Sequence, residues 1–243
     1  MGSKIMTNEL GKKEPLEDIV RKTIEKFCFD FLSSPFQCYT EHGIHAMFYQ
    51  ELMNRIPKDR QVINVNGKDI SIVQKEYCMR DKSGKKNRAN WDIAILSEKQ
   101  TGKPDRDLRW YDCLKLNSVV EFGLNPGEHN HVEDDIQRLS HIESGVEHGF
   151  VVHLYRLSND VTRKDWGKRW SKRIWTSIPL TTFNSEKQIN KMIQDNGNRV
   201  IGYWALYDDI RKEVQSTYRI GPYRMDGKSL PQLLTKEEIS YQS

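Results

Sequence analysis

The chain has 243 residues, 30% of them charged and 37% apolar, which is polar yet enough to bury one core; we read 1–243 as a single domain. Aromatics at 10%, six of them Trp, exclude a disordered chain, and a net charge of +4 is too small to argue by itself for an anionic partner. Four cysteines (Cys28, Cys38, Cys78 and Cys113) form no CxxC pair and are too sparse for a disulfide framework, so they read as reduced thiols of a cytoplasmic protein. No apolar leader and no run long enough to span a bilayer occur, so no membrane is expected.

Residues 1–14 are polar. Pro15 opens a helical pattern in which Leu16, Ile19, Val20, Ile24, Phe27, Cys28 and Phe31 recur at spacings of three and four, ended by Ser33-Ser34-Pro35. A second helix is predicted over about 41–56 with Thr40 as N-cap and Ile44, Met47, Phe48, Leu52 and Ile56 as its apolar face. Glu41 heads that stripe, either as a solvated first-turn acid suited to the helix dipole or as an acid aimed into a site. Over 62–77 two strands flank Asn66-Gly67, a hairpin turn signal, the second running from Ile70 to Tyr77. Residues 80–88 hold five bases, Arg80, Lys82, Lys85, Lys86 and Arg88, against one acid, and read as a basic loop leading into the next strand.

Two short apolar runs follow, each holding one carboxylate: Trp91-Asp92-Ile93-Ala94-Ile95-Leu96, then Ser118-Val119-Val120-Glu121-Phe122-Gly123-Leu124. Continuous apolar runs of this length read as strands buried on both faces. An acid inside one costs several kcal/mol unless neutralised, and two neighbouring acids repel. Either each sits at a wet strand end, or a hard divalent cation, Mg²⁺ or Mn²⁺, holds the pair. Between the runs, residues 97–109 are polar and read as a loop. After the break at Asn125-Pro126-Gly127, a helix is predicted over about 132–143 and a buried strand over 149–155, so strand, helix, strand implies a parallel pair. Residues 163–175 are basic and aromatic. On a helix Trp166, Trp170 and Ile174 share one face and Lys164, Lys168 and Lys172 the opposite one, with Arg169 and Arg173 beside them. That helix either packs its Trp face on the core or contacts phosphates. A further helix over 185–195 and a last apolar strand over 199–207 complete the pattern, and the tail beyond 227 is uninformative.

The order — a helix with Glu41, strands, a strand with Asp92, a strand with Glu121, a helix and a buried strand — resembles the core of the PD-(D/E)XK nuclease superfamily, the restriction-endonuclease-like fold. The resemblance spans about 41–155 and implies an α/β (α+β, mixed-sheet) protein, with a nuclease-like core over about 15–160 and a C-terminal elaboration over 161–243. It implies Mg²⁺ held by Asp92, Glu121 and Glu41, cleavage of DNA, and a possible homodimer. The basic segments (Arg80 to Arg88; Lys164, Lys168, Arg169, Lys172, Arg173) would then bind the DNA backbone. Two departures stand out: the family's Pro before the Asp is Trp91, and the Lys expected two residues after the Glu is Gly123. A glycine leaves room for a cation from elsewhere; Lys75 is one candidate, Gln137 and Arg138 are others, and Glu76 is a further carboxylate.

Neither His42 with His45 nor His129 with His131 matches a zinc-site spacing with enough ligands, and the latter two read as exposed. No phosphate-binding glycine loop or nucleophile elbow occurs, so no nucleotide cofactor is expected. The rival to a live DNA nuclease is a lapsed nuclease-like domain that binds nucleic acid or a protein, and behind it stands an unrelated α/β interaction domain.

Overall fold

The computed structural model describes residues 13–80, 86–100, 114–124, 131–140, 144–157, 200–208, 218–225 and 232–233. Helix α1 (Leu16–Ser33) begins after Pro15 and buries Leu16, Ile19, Val20, Ile24, Phe27, Cys28 and Phe31. Helix α2 (Glu41–Arg55) is capped as expected: the Thr40 hydroxyl accepts from the Gly43 amide at 3.0 Å. Its buried face comprises Ile44, Phe48 and Leu52, and also His45.

A small hairpin follows, β1 (Val62–Val65) with β2 (Lys68–Ser71). Asn66 and Gly67 both take positive φ, 53° and 75°, the backbone that a two-residue turn of matching twist requires. The expected second strand does not run unbroken. At Ile72 the chain leaves the hairpin: its amide donates to the Gln61 carbonyl and its own carbonyl accepts from Leu96, so it joins the small hairpin to the large sheet. The residues after it form β3 (Val73–Arg80), which pairs not with β1 but with β4 (Lys86–Leu96). Of the stretch read as a basic loop, Arg80 ends β3 and 86–88 begin β4, with Arg80 paired opposite Lys86, while 81–85 lie outside the described residues. Backbone pairing of the flanking residues overrides the loop-like composition.

The large sheet continues with β5 (Leu116–Leu124), antiparallel to β4. After α3 (His131–Ser140), β6 (Val146–Leu157) lies parallel to β5, as strand, helix, strand implied. Strand β7 (Val200–Asp208) is parallel to β6. It is not the last strand: β8 (Tyr218–Met225) and β9 (Gln232–Leu233) follow antiparallel, giving among the described residues the seven-stranded order β3-β4-β5-β6-β7-β8-β9. The protein is therefore a mixed-sheet α+β structure.

Alternation along β5 places the helices. Phe122 meets Phe27 of α1 and Phe48 of α2 edge-to-face, at centroid distances of 6.0 and 5.1 Å. Its neighbour Glu121 instead reaches Arg138 of α3. Successive strand side chains point to opposite faces, so α1 and α2 cover one face of the sheet and α3 the other. The core between them holds Ile93, Ala94, Ile95, Val119, Val120, Phe150, Val152 and Leu154.

Cys28, Cys38 and Cys78 take part in no disulfide among the described residues. No helix among the described residues is long and apolar enough to cross a membrane. Lys82, Lys85, Lys164, Lys168, Arg169, Lys172, Arg173, His129 and the helix expected over 185–195 lie outside the described residues, and of Arg80, Lys86 and Arg88 only the strand positions are described.

Candidate metal centre

The antiparallel ladder between β4 and β5 ends at Ile93 opposite Val120. Just beyond it stand Asp92 and Glu121. Where a further ladder bond would form, the Phe122 amide donates to Asp92 Oδ2 at 2.8 Å. Asp92 thus lies in the opening between the two strands, reachable from both faces of the sheet. From the α3 side comes Glu121, whose side chain is 3% exposed and whose Oε1 has no hydrogen-bond partner. From the α2 side comes His45, with its Nε2 3.5 Å from Asp92 Oδ2.

The electrostatics follow from burial. Desolvation pushes Glu121 well above the usual carboxylate range, and the neighbouring charges of Asp92 and Asp135 push the same way. Burial also raises Asp92, although the Phe122 amide and a hydrogen bond shared with Glu121 pull it down. In both carboxyls the largest cause is burial, which disfavours the charged form. Burial lowers His45, against the opposite pull of Glu41 and Glu76, and leaves a neutral imidazole able to act as a ligand.

One atom each of Glu41, His45 and Asp92 lie within 4.8 Å of one another, and so do atoms of His42, His45 and Glu76. Glu41 and His45 share a face of α2 because they are one turn apart. The segment leading into that helix is held by Arg156, which donates to the carbonyls of Pro35, Cys38 and Tyr39 at 3.3, 2.8 and 3.1 Å. Glu76 interrupts β3: it takes φ of 51°, a left-handed conformation costly for a residue with a side chain. Its Oε1 stands 3.7 Å from both His42 Nδ1 and His45 Nδ1. A strained non-glycine residue beside converging acids fits a position held for what its carboxylate does.

Of the residues singled out from sequence, Glu41 and Asp92 converge directly, and Glu121 joins them through Asp92. Lys75 is exposed on β3, its charge near enough to weigh on His45. Arg138 contacts the acids more closely. One guanidinium nitrogen is 3.6 Å from Glu121 Oε1 and hydrogen-bonded to Asp135, and the group lies 5.7 Å over Trp91.

Two expectations need correction. Setting aside His42 and His45 overlooked the centre of the cluster. His45 is 1% exposed and neither ring nitrogen has a hydrogen bond. The sequence signal was available: positions 41, 45, 48 and 52 fall on one helical stripe, so a histidine stood within an apolar face behind Glu41. Gly123, in turn, does not leave an open space. A Cβ added there would lie 1.8 Å from Nε2 of His153, the residue paired with it across the parallel β5–β6 ladder. His153 covers the place where the resembling family carries its lysine.

Compared with known protein families, curated proteins and solved structures, the chain matches none.

Proposed function

We propose that the protein hydrolyses phosphodiester bonds of DNA with the help of a divalent cation, as a restriction- or repair-type endonuclease on a restriction-endonuclease-like core. One observation carries this reading: partly buried Asp92 on β4, beside buried Glu121 on the adjacent strand, converges with a glutamate and an unpartnered imidazole from helix α2. The order α2, β3, β4, β5, α3, β6, three antiparallel strands and then a parallel one, supports it.

The side chains fit a metal. Glu121 Oε1 and both His45 nitrogens are buried polar atoms without hydrogen bonds, and such atoms cost about 1–3 kcal/mol each when nothing engages them. Asp92, Glu41 and Glu121 would hold the ion, which would favour their ionised forms. A divalent ion supplies Lewis-acid polarisation of a phosphoryl oxygen and a water of lowered pKa. Arg138, already beside Glu121, places positive charge at the edge of the site, and Lys75 does so from β3. Arg80 ends β3 and Lys86 and Arg88 lie in β4, the strand that carries Asp92; with Lys82 and Lys85 they would grip the backbone through salt-sensitive contacts. Lys164, Lys168, Arg169, Lys172 and Arg173 would extend that grip, and neither a nucleotide cofactor nor a membrane is needed.

A second reading, a lapsed nuclease-like domain that binds nucleic acid or a protein, draws on His153. Its ring over Gly123 bars a lysine from the expected place, and Arg138 pairs with Glu121 as it would in a merely structural site. Cleavage of supercoiled plasmid and oligonucleotides with Mg²⁺ and with Mn²⁺, against Asp92→Ala and Glu121→Ala, separates the two. Metal-dependent cutting lost in both variants supports the nuclease. No cutting, with salt-sensitive DNA binding intact in all three proteins, makes this a binding module.

A further inference from the structure

We propose that His45 is a direct ligand, and that the centre is accordingly built for a first-row transition ion rather than for Mg²⁺; this rests on the metal site proposed above. Several observations lead there. The His45 side chain is 1% exposed, and both ring nitrogens lack a hydrogen bond. Buried polar groups in folded proteins are nearly always paired, so a histidine kept only for packing would bond through at least one nitrogen. The ring is held 5.4 Å from that of Phe122 and points both nitrogens at carboxylates: Nε2 at Asp92, 3.5 Å away, and Nδ1 at Glu76, 3.7 Å away. Those separations are too long for hydrogen bonds, but they suit atoms about to share an ion, since ligands about 2.1 Å from a common metal lie roughly 3–4 Å apart.

Two sets compete for the one ring, Glu41–His45–Asp92 and His42–His45–Glu76. A neutral imidazole donates through one nitrogen only, so it serves one set at a time. The first is the better built. It lies against the buried Glu121, whereas His42 in the second is 84% exposed and Glu76 is 45% exposed. The inner set is therefore one nitrogen with carboxylate oxygens from Glu41 and Asp92, and Glu121 stands beside Asp92. Mg²⁺ prefers oxygen ligands and keeps its waters, while imidazole favours ions further along the first transition row. The ligand chemistry points to Mn²⁺, Co²⁺ or Zn²⁺.

The test is calorimetric titration of the metal-free protein with MnCl₂, CoCl₂, ZnCl₂ and MgCl₂, in wild type, His45→Ala, His45→Asn and His42→Ala. Electron spin-echo spectroscopy of the Mn²⁺-loaded wild type complements it. It reads modulation from a bound imidazole nitrogen without any substitution, so the proposal stays testable if the His45 variants fail to fold. We expect at least one transition ion to bind about tenfold or more tighter than Mg²⁺. Both His45 variants should lose about tenfold or more of that affinity and little for Mg²⁺, and His42→Ala should change neither. Nitrogen modulation in the wild type is expected too. Equal affinity for all the ions, His45 variants that bind as wild type does, or no nitrogen modulation would overturn the proposal. If Asp92→Ala still abolished binding in those cases, a carboxylate-only metal site would stand. Tight transition-ion binding without DNA cleavage would sink the nuclease reading and leave this inference intact. A wild type that binds no ion would remove both.

Discussion

Glu121→Gln tests whether the acid pair is a strained arrangement waiting for a cation. The substitution keeps the shape and removes one charge. In the metal-free fold Glu121 is 3% exposed, Oε1 has no hydrogen bond, and Asp92 shares the site. Arg138 at 3.6 Å offsets part of the charge but also serves Asp135. An incompletely compensated buried carboxylate is destabilising, and relieving it should stabilise the metal-free protein by about 1–3 kcal/mol at pH 8. The pH dependence carries the sign. Burial, followed by the charge of Asp92, raises Glu121 in the fold, so between the unfolded carboxylate range and that raised value the native state holds a proton the unfolded chain has lost. Stability is then greatest at the acid end of this window and falls as pH rises through it, by up to about 1.4 kcal/mol per pH unit for one proton. Urea denaturation in chelator from pH 4.5 to 8.5 should show this fall in the wild type and a flatter profile in Glu121→Gln. Added MnCl₂ should restore the wild type, by about 2.7 kcal/mol at one hundred times its Kd, and do less for the variant. Parallel profiles, with the variant no more stable at pH 8, would mean that Arg138 already neutralises Glu121 and that the pair is an ordinary buried ion pair.

Gly123→Ala drives a methyl group to 1.8 Å from Nε2 of His153, which is 7% exposed and has little room to swing away. The loss should be about 1–3 kcal/mol by urea denaturation, and pairing it with His153→Ala should recover much of it; simple additivity would show that the two do not meet. Arg156→Ala removes the donor to three carbonyls of the segment that leads into α2 and should cost about 2–4 kcal/mol. Hydrogen exchange should speed up over 35–43, with weaker metal binding because Glu41 directly follows that segment, and unchanged exchange would argue against the anchor. Thr40→Ala deletes the cap on Gly43 and should cost about 1 kcal/mol in the same denaturation assay, whereas Thr40→Ser should stay near wild type.

Both long N-terminal helices, the Thr40 cap, the Asn66-Gly67 turn, the two acid-bearing strands and the parallel β5–β6 pair were legible in the sequence. Each rests on local physics: periodicity of apolar residues, a side chain that satisfies a free amide, a backbone that only certain residues adopt, or a connection whose handedness is general. What the tertiary structure decided were the matters of partnership. Ile70 and Val73 looked like one strand, but the bonds made by Ile72 to Gln61 and Leu96 divide them between two sheets. His45 looked like an incidental polar residue on an apolar stripe; what faces that stripe, Asp92 on one strand and Glu76 on another, makes it the centre of the cluster. Gly123 looked vacant, and the parallel register that sets His153 beside it fills the space. Local sequence determines what a residue can form with its neighbours in the chain. The distant group that desolvates it, pairs with it or blocks it depends on contacts many residues away, which no stretch of sequence around it encodes.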